Sequence, residues 1–503
     1  MKKIIIIGGG VAGLSAGIHA QQYGFESVIY EKHSVVGGQC TGWDRKGYHI
    51  DGCIHWLTGT REGSDLYELW KNVGALGNTE IIQLDNFGTY EFDGVTLTLW
   101  KDLDRLQREW IQLSPEDTQK IEEFIRDVRI AQTMEMPAKM PISMLPLKEL
   151  IKLGKAMKGA GGVMNDAGKI SCSEYAERFH HPALKGLFQN SMPEGFSISA
   201  FIFSMATFSS GDGAIPKDGS KAMALRMEKR YKELGGKVIL NTSATEIIVE
   251  KKLATGVRFS DGTTVKADYV IAANDVRITF DELLKGNYKD KKFEMRYNNP
   301  ADYGLPTSIQ VAFGVSADLS SYPTTISFGT EPYEVAGKQY GGIGIKNYAY
   351  ESSFAPEDCT VVTAMINQTD KDYFYWERLS KDKTAYKNEK QRIANLLQER
   401  IEKRFPELIG KLTILDVATP MTYHRYTGAY HGAWMAFVMT PKSKSMMHSG
   451  KIKGLKNCYL TGQWLLPPGG LPVAVTTGKF TVQRICKKEK CFLMKDEGVL
   501  VVQ

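Results

Sequence analysis

Three glycines at positions 8, 10 and 13, with a glutamate at position 31, have the types and spacing to hold a diphosphate and a ribose. In G-x-G-x-x-G the first glycine permits a tight turn, the second lets backbone approach a pyrophosphate, and the third lets a helix pack close to its preceding strand. The free N–H groups and partial positive charge of a helix N-terminus suit that anion. Glu31, one βαβ unit further on, can accept both hydroxyls of an adenosine ribose and would repel a 2′-phosphate, so FAD or NAD is favoured over NADP. Ala12, inside the motif, and Lys32, beside the glutamate, complete this part of the candidate cofactor set.

The elements that must position these residues are legible around them. Ile4 to Ile7 form an unbroken β-branched run, as expected of a strand covered on both faces in a parallel sheet. Small residues at helical spacing follow through Gly17, and "SVIYEK" supplies a second strand ending at Glu31. A lone glycine motif is a weak signal, but strand, glycines, helix, strand and acid together make the full dinucleotide fingerprint. The glycines at 159–162 and around Gly341 lack the preceding strand or the phosphate turn, so one such unit is expected.

A chain of 503 residues exceeds one ordinary core and predicts at least two domains. A net charge of +6 is too mild over this length for a dedicated nucleic-acid binder. The seven cysteines are odd in number and scattered without metal-ligand spacing, so no metal site is expected and a reducing cytoplasm fits best. The opening apolar run stops after Ile7, short of a signal-peptide core. "GFSISAFIFSMATFSSG", residues 195 to 211, reads as a buried helix rather than a membrane span.

After Glu31 come Gly37 and Gly38, then Gly47, Tyr48, Asp51 and Gly52, then Ile54, His55 and Trp56. This segment resembles the N-terminus of the flavoproteins that include phytoene desaturases, carotenoid isomerases and retinol saturases, with monoamine oxidases as more distant relatives. Many of these carry Arg after the Gly-Gly turn, where this chain has Gln39, which can donate a hydrogen bond but brings no charge. "GLKNCYLTGQWLLPPGGLPVAVTTGKF" is similar to the family's closing signature, with Gly462 at a strand end and Gln463 where relatives often have Asp. The resemblance implies FAD as cofactor, Ala244 backbone against its adenine, and the turn Gly469, Gly470 and Leu471 bringing a helix N-terminus toward the flavin.

The resemblance also implies the architecture: α/β, with a Rossmann-type FAD-binding domain built from discontinuous segments 1–80, 210–278 and 450–503. An α+β substrate domain, a mixed sheet plus a helical cap, takes 81–209 and 279–449. The first insertion is helical by pattern. Within it Leu147, Leu150, Ile151 and Met157 share a face while Lys148, Lys152, Lys155 and Lys158 supply charge, which suits either an anionic lipid surface or packing on the protein itself. The expected location is therefore cytoplasmic, with peripheral contact to the inner face of the membrane as the bolder reading.

"MTYHRYTGAYHGAWMAF", residues 421 to 437, resembles the segment that lines the cavity over the flavin, making Tyr423, Tyr426, Tyr430 and Trp434, together with Trp56, candidate substrate walls. His55 and His431 are the titratable candidates for proton transfer, although an isolated histidine is more often structural. The activity so implied is FAD-dependent desaturation or saturation of C–C bonds in an apolar, polyene or terpenoid-like substrate. A separate electron acceptor or donor, O2, a quinone or NAD(P)H, would complete it. A redox-neutral isomerase, a flavin amine oxidase and a non-catalytic flavin-bearing module stand as alternatives.

Overall fold

A computed structural model of the chain describes residues 1–444 and 447–491, without the side chains of 155–158. The end of the expected third cofactor segment, 492–503, and the face positions expected of Lys155, Met157 and Lys158 lie outside the described residues.

Strand Lys3–Ile7 is the middle member of a five-stranded parallel sheet in the order Lys237–Ile239, Glu26–Tyr30, Lys3–Ile7, Tyr269–Ala272, Cys458–Leu460. The isoleucine run has no alternation because each face meets its own core. Ile4 and Ile6 pack with Leu14 and Ile18, while Ile5 and Ile7 pack with Phe259 and Phe280. Burying one such side chain contributes about 1.5–3 kcal/mol, so the run anchors both layers.

A seven-stranded mixed sheet forms a second unit, in the order Leu412–Ala418, Pro306–Val315, Thr360–Thr369, Lys338–Asn347, Thr325–Val335, Asn86–Phe92, Val95–Trp100. Its central strands alternate apolar and polar residues. Ile309, Val311, Ile343, Ile345 and Ile366 face helices Asp370–Leu379 and Lys383–Arg404, which contribute Trp376, Leu397 and Ile401 to the same core. The opposite face looks toward the parallel sheet's strand ends.

A helical layer made of Leu103–Leu113, Thr118–Ala131, Leu147–Ala167 and Ile198–Ser209 closes over that face. Its core is aromatic, with Trp110, Phe124, Phe188 and Phe201 in mutual contact. The insertion expected to be helical opens instead with the hairpin Asn86–Phe92 and Val95–Trp100, which extends the mixed sheet by pairing in parallel with Thr325–Val335. The fold class is α/β, a Rossmann-type sheet joined to an α+β unit. No helix among the described residues is long and apolar enough to cross a membrane.

Candidate cofactor cleft and active site

The opening turn is built so tightly that its third glycine is obligatory. A Cβ on Gly13 would lie 1.9 Å from the Gly8 carbonyl oxygen, and Gly8 itself has φ 104°. Helix Val11–Gln22 starts at Gly10 with no side-chain cap, so its first N–H groups remain available at the cleft. The second glycine turn lies alongside the first: Gly37 N donates to Gly9 O at 2.9 Å. Glu31 is buried, with Oε2 accepting from Gly9 N at 2.6 Å and Oε1 from His33 N at 2.8 Å. Each oxygen keeps acceptor capacity for a further donor.

Asp51 fixes the loop that follows. Its Oδ1 accepts from the Ser220 hydroxyl at 2.6 Å and from Cys53 and Ile54 N, and its Oδ2 accepts from Ser220 N at 2.6 Å. The loop bearing His55 and Trp56 is thus tied to the start of helix Gly219–Glu233.

The closing helix Gly470–Glu489 packs against helix Val11–Gln22. Ser15 Oγ donates to Val475 O at 2.6 Å, and a Cβ on Gly478 would meet Ala12 O at 2.5 Å. Gly470 N donates to Gln463 Oε1 at 3.1 Å, so this amide caps the helix start. Gln39 likewise has a protein partner: its Nε2 donates to Ala433 O at 2.7 Å, joining the second glycine turn to the aromatic segment.

One cavity of about 1930 Å3 connects these features. Gly8, Gly10, Ala12, Glu31, Lys32, Gly38, Gln39 and Ala244 line it from one side, and Gly462, Gln463, Gly470 and Leu471 from the other. His55, Trp56, Tyr423, Tyr426 and Trp434 line it further along. Gly13 is behind the wall, in the strand–helix contact already described. Tyr430 and His431 depart from expectation, for neither lines the cavity. Tyr430 packs edge-on against Tyr297 and its N–H donates to Asp275 Oδ2 at 2.8 Å. A left-handed backbone at His431 (φ 50°) turns its ring onto Tyr430 and Tyr373, at 3.7 and 4.7 Å between centroids.

Beyond the glycine turns the cavity has two unlike walls. Its roof is apolar, with Phe203 and Phe208 from the buried helix, Met164 from helix Leu147–Ala167, and Met134, Met136 and Met192 from the segments that connect the helices. Its floor is the inner face of the mixed sheet, presenting Ser308, Gln310, Thr325, Lys346 and Asn367. Tyr423 OH lies 3.4 Å from both Ser308 Oγ and Gln310 Oε1, and burial raises its pKa to about 12.

His55 opens onto this cavity deep in the molecule; desolvation first, and then the Lys346 charge, lower its pKa to about 3. Burial lowers His431 to about 4. Neither histidine is in its charged form at neutral pH. Asp275, at the cavity edge, is raised by burial to about 6 despite accepting from Tyr430 N and Arg277 N.

Uncapped N–H groups at the start of helix Val11–Gln22, glycines whose missing side chains leave the cleft open, and a buried carboxylate with spare acceptor capacity all suit an adenine dinucleotide. Residues 11–486 match the family described as Flavin containing amine oxidoreductase. The chain belongs to that family. It is 24% identical over 502 residues to the phytoene desaturase (lycopene-forming) of a Paracoccus species, covering 96% of this chain and 97% of the relative. It is 22% identical over 506 residues to the 4,4′-diaponeurosporene oxygenase of Staphylococcus aureus, covering 97% and 99%. Among solved structures, cyclohexylamine oxidase from Brevibacterium oxydans superposes with a TM-score of 0.59 at 12% identity, covering 97% and 99%, which shows a shared fold. The protein is an FAD-dependent oxidoreductase.

In this flavoprotein the residues that sequence reading missed lie on the floor. Lys346 follows Ile343 and Ile345 in a strand whose alternation assigns the lysine to the face opposite the apolar core, which in an isolated sheet would be solvent. Gln310 is equally hidden, within a run read only as strand. Asp275 carried a signal, standing directly after "YVIAAN" at the end of a parallel strand, where ligands of open α/β sheets gather.

Proposed function

We propose that this enzyme desaturates or saturates C–C bonds in an elongated, apolar polyene. The observation that carries the reading is the continuity of the cavity from the glycine turns into the methionine- and phenylalanine-lined arm. Its volume of about 1930 Å3 is roughly twice the upper end of ordinary small-molecule pockets, about 300–1,000 Å3. That leaves room for a dinucleotide and a long second molecule together. The named activities of the desaturase and oxygenase relatives support the same class.

In this reading segments 1–80, 210–278 and 450–503 carry the cofactor, and 81–209 with 279–449 carry the substrate. The N–H groups at the starts of helices Val11–Gln22 and Gly470–Glu489 bind the diphosphate and the flavin end, and Glu31 binds the ribose. Bound FAD supplies the hydride chemistry. Trp56, Tyr423 and Trp434 orient the chain, and the flexible methionines of the roof adapt to it and exclude water. His55, uncharged at neutral pH, serves as a hydrogen-bonding group. Among the described residues a single strand–glycine–helix unit is seen, so the second electron partner, O2, a quinone or a nicotinamide, is taken to be a separate molecule.

The substrate would enter from a membrane surface. Leu147 and Ile151 are 73% and 52% exposed, with Ile142 beside them at 40%, and Lys148 and Lys152 are exposed on the same helix. Ile142 also lines the cavity, which brings this apolar and basic patch to an entrance.

The deciding experiment is anaerobic titration of the purified yellow protein with polyenes, retinoids and amines, followed at the flavin absorbance band. Bleaching by a polyene, or reoxidation of the reduced protein by one, is expected. Bleaching by amines alone would replace this reading with an amine oxidase.

A further inference from the structure

The polar floor of the cavity contains a buried cation with no acid to balance it. Lys346 is 6% exposed and lies in register between Thr325 and Thr363 of the neighbouring strands. Its Nζ donates to Ile54 O at 2.8 Å and to His55 O at 3.1 Å. An ammonium has three N–H groups, so one is unassigned. Among the described residues no carboxylate oxygen lies within 4.0 Å of it.

Asp51, the acid whose charge bears on Lys346, has both oxygens engaged by Ser220 and by the Cys53 and Ile54 N–H groups. The ring centroids of Tyr348 and Tyr350 lie 5.0 and 5.8 Å from Nζ, and the Cys53 thiol is also near. A buried charge left in this state is costly unless a ligand completes it. Consistent with that cost, burial lowers the Lys346 pKa to about 8.

A pure hydrocarbon would match the methionine and phenylalanine roof but would cover Lys346, Asn367 and Thr325 without satisfying them. We propose that Lys346 binds the carboxylate at the end of an otherwise apolar chain, so that the enzyme's substrate or product is a polyene acid. The ammonium then gains a charge-assisted hydrogen bond in a water-poor site, where such bonds are strongest. The inference rests on the polyene reading and narrows it. No bond is made or broken in this step.

The test uses the flavin-loaded protein with two probes of equal chain, all-trans-retinoic acid and all-trans-retinol, measured by tryptophan fluorescence quenching. Wild type is expected to bind the acid at least about tenfold more tightly than the alcohol, the scale of one hydrogen bond to a charged group. Lys346→Met should abolish the preference and Lys346→Arg should keep most of it, with flavin absorbance confirming that both variants fold. Equal affinity for the two probes in wild type, or a preference surviving in Lys346→Met, overturns the proposal. Absence of binding by either probe to yellow wild-type protein removes the polyene reading along with it.

Discussion

Glu31 is oriented before any ligand arrives, because two backbone N–H groups, those of Gly9 and His33, hold its oxygens. Glu31→Gln keeps the volume but turns an amide donor toward one of those N–H groups and removes the charge. Loss of a hydrogen bond to a charged group is worth about 1.5–3 kcal/mol, so FAD affinity should fall at least about tenfold. The absorbance ratio of flavin to protein after dialysis reads this, and full retention would mean that Glu31 does not hold the ribose. Residues of this kind are legible because the glycines and the acid lie within one local crossover. Lys346 was not, since its surroundings come from residues 54 and 55, almost three hundred positions away.

At the scale of elements, helix Leu147–Ala167 carries the proposed membrane contact. Leu147→Glu with Ile151→Glu should abolish co-sedimentation with anionic phosphatidylglycerol vesicles and leave flavin content unchanged, because both side chains are exposed. Undiminished vesicle binding by the double variant would place the contact elsewhere. The sequence showed this helix through its spacing of leucine and lysine, and the isoleucine strand through its lack of alternation. The hairpin Asn86–Phe92 and Val95–Trp100 lay inside the insertion expected to be helical, although the Asp93-Gly94 pair at its tip, both at positive φ, was a legible sign of a two-residue turn. The hairpin of Ala244–Glu250 and Leu253–Phe259 was not, for its turn is Lys251 and Lys252, residues that rarely adopt that backbone.

At the scale of the whole molecule, histidines held uncharged in the fold weaken it on acidification. Burial, and then the Lys479 charge, lower the pKa of His19 to about 3, and its Nδ1 lies 2.7 Å from Ser15 O. A histidine depressed in the folded state stabilises fully above its unfolded pKa of about 6.5, and that stability is lost as pH falls toward the folded value. One such group changes stability by about 1.4 kcal/mol per pH unit in that window. His55 and His431 act in the same direction. Asp275, raised to about 6, opposes them by one proton, because acidification favours its folded form. Unfolding free energies measured by denaturant between pH 7 and 4.5 should therefore decline on acidification, and His19→Gln should flatten the decline by about one proton's worth. An unchanged slope in the variant would show that His19 is not the group responsible.

The parallel sheet draws its strands from residues 3–7, 26–30, 237–239, 269–272 and 458–460. During synthesis at about 5–20 residues per second, its first two strands emerge on the order of tens of seconds before the last. For that interval an apolar ribbon with an open edge waits on the ribosome for its final neighbour. The flavin grip can therefore mature only after residues 458–489, which supply the last strand and the closing helix, have been made.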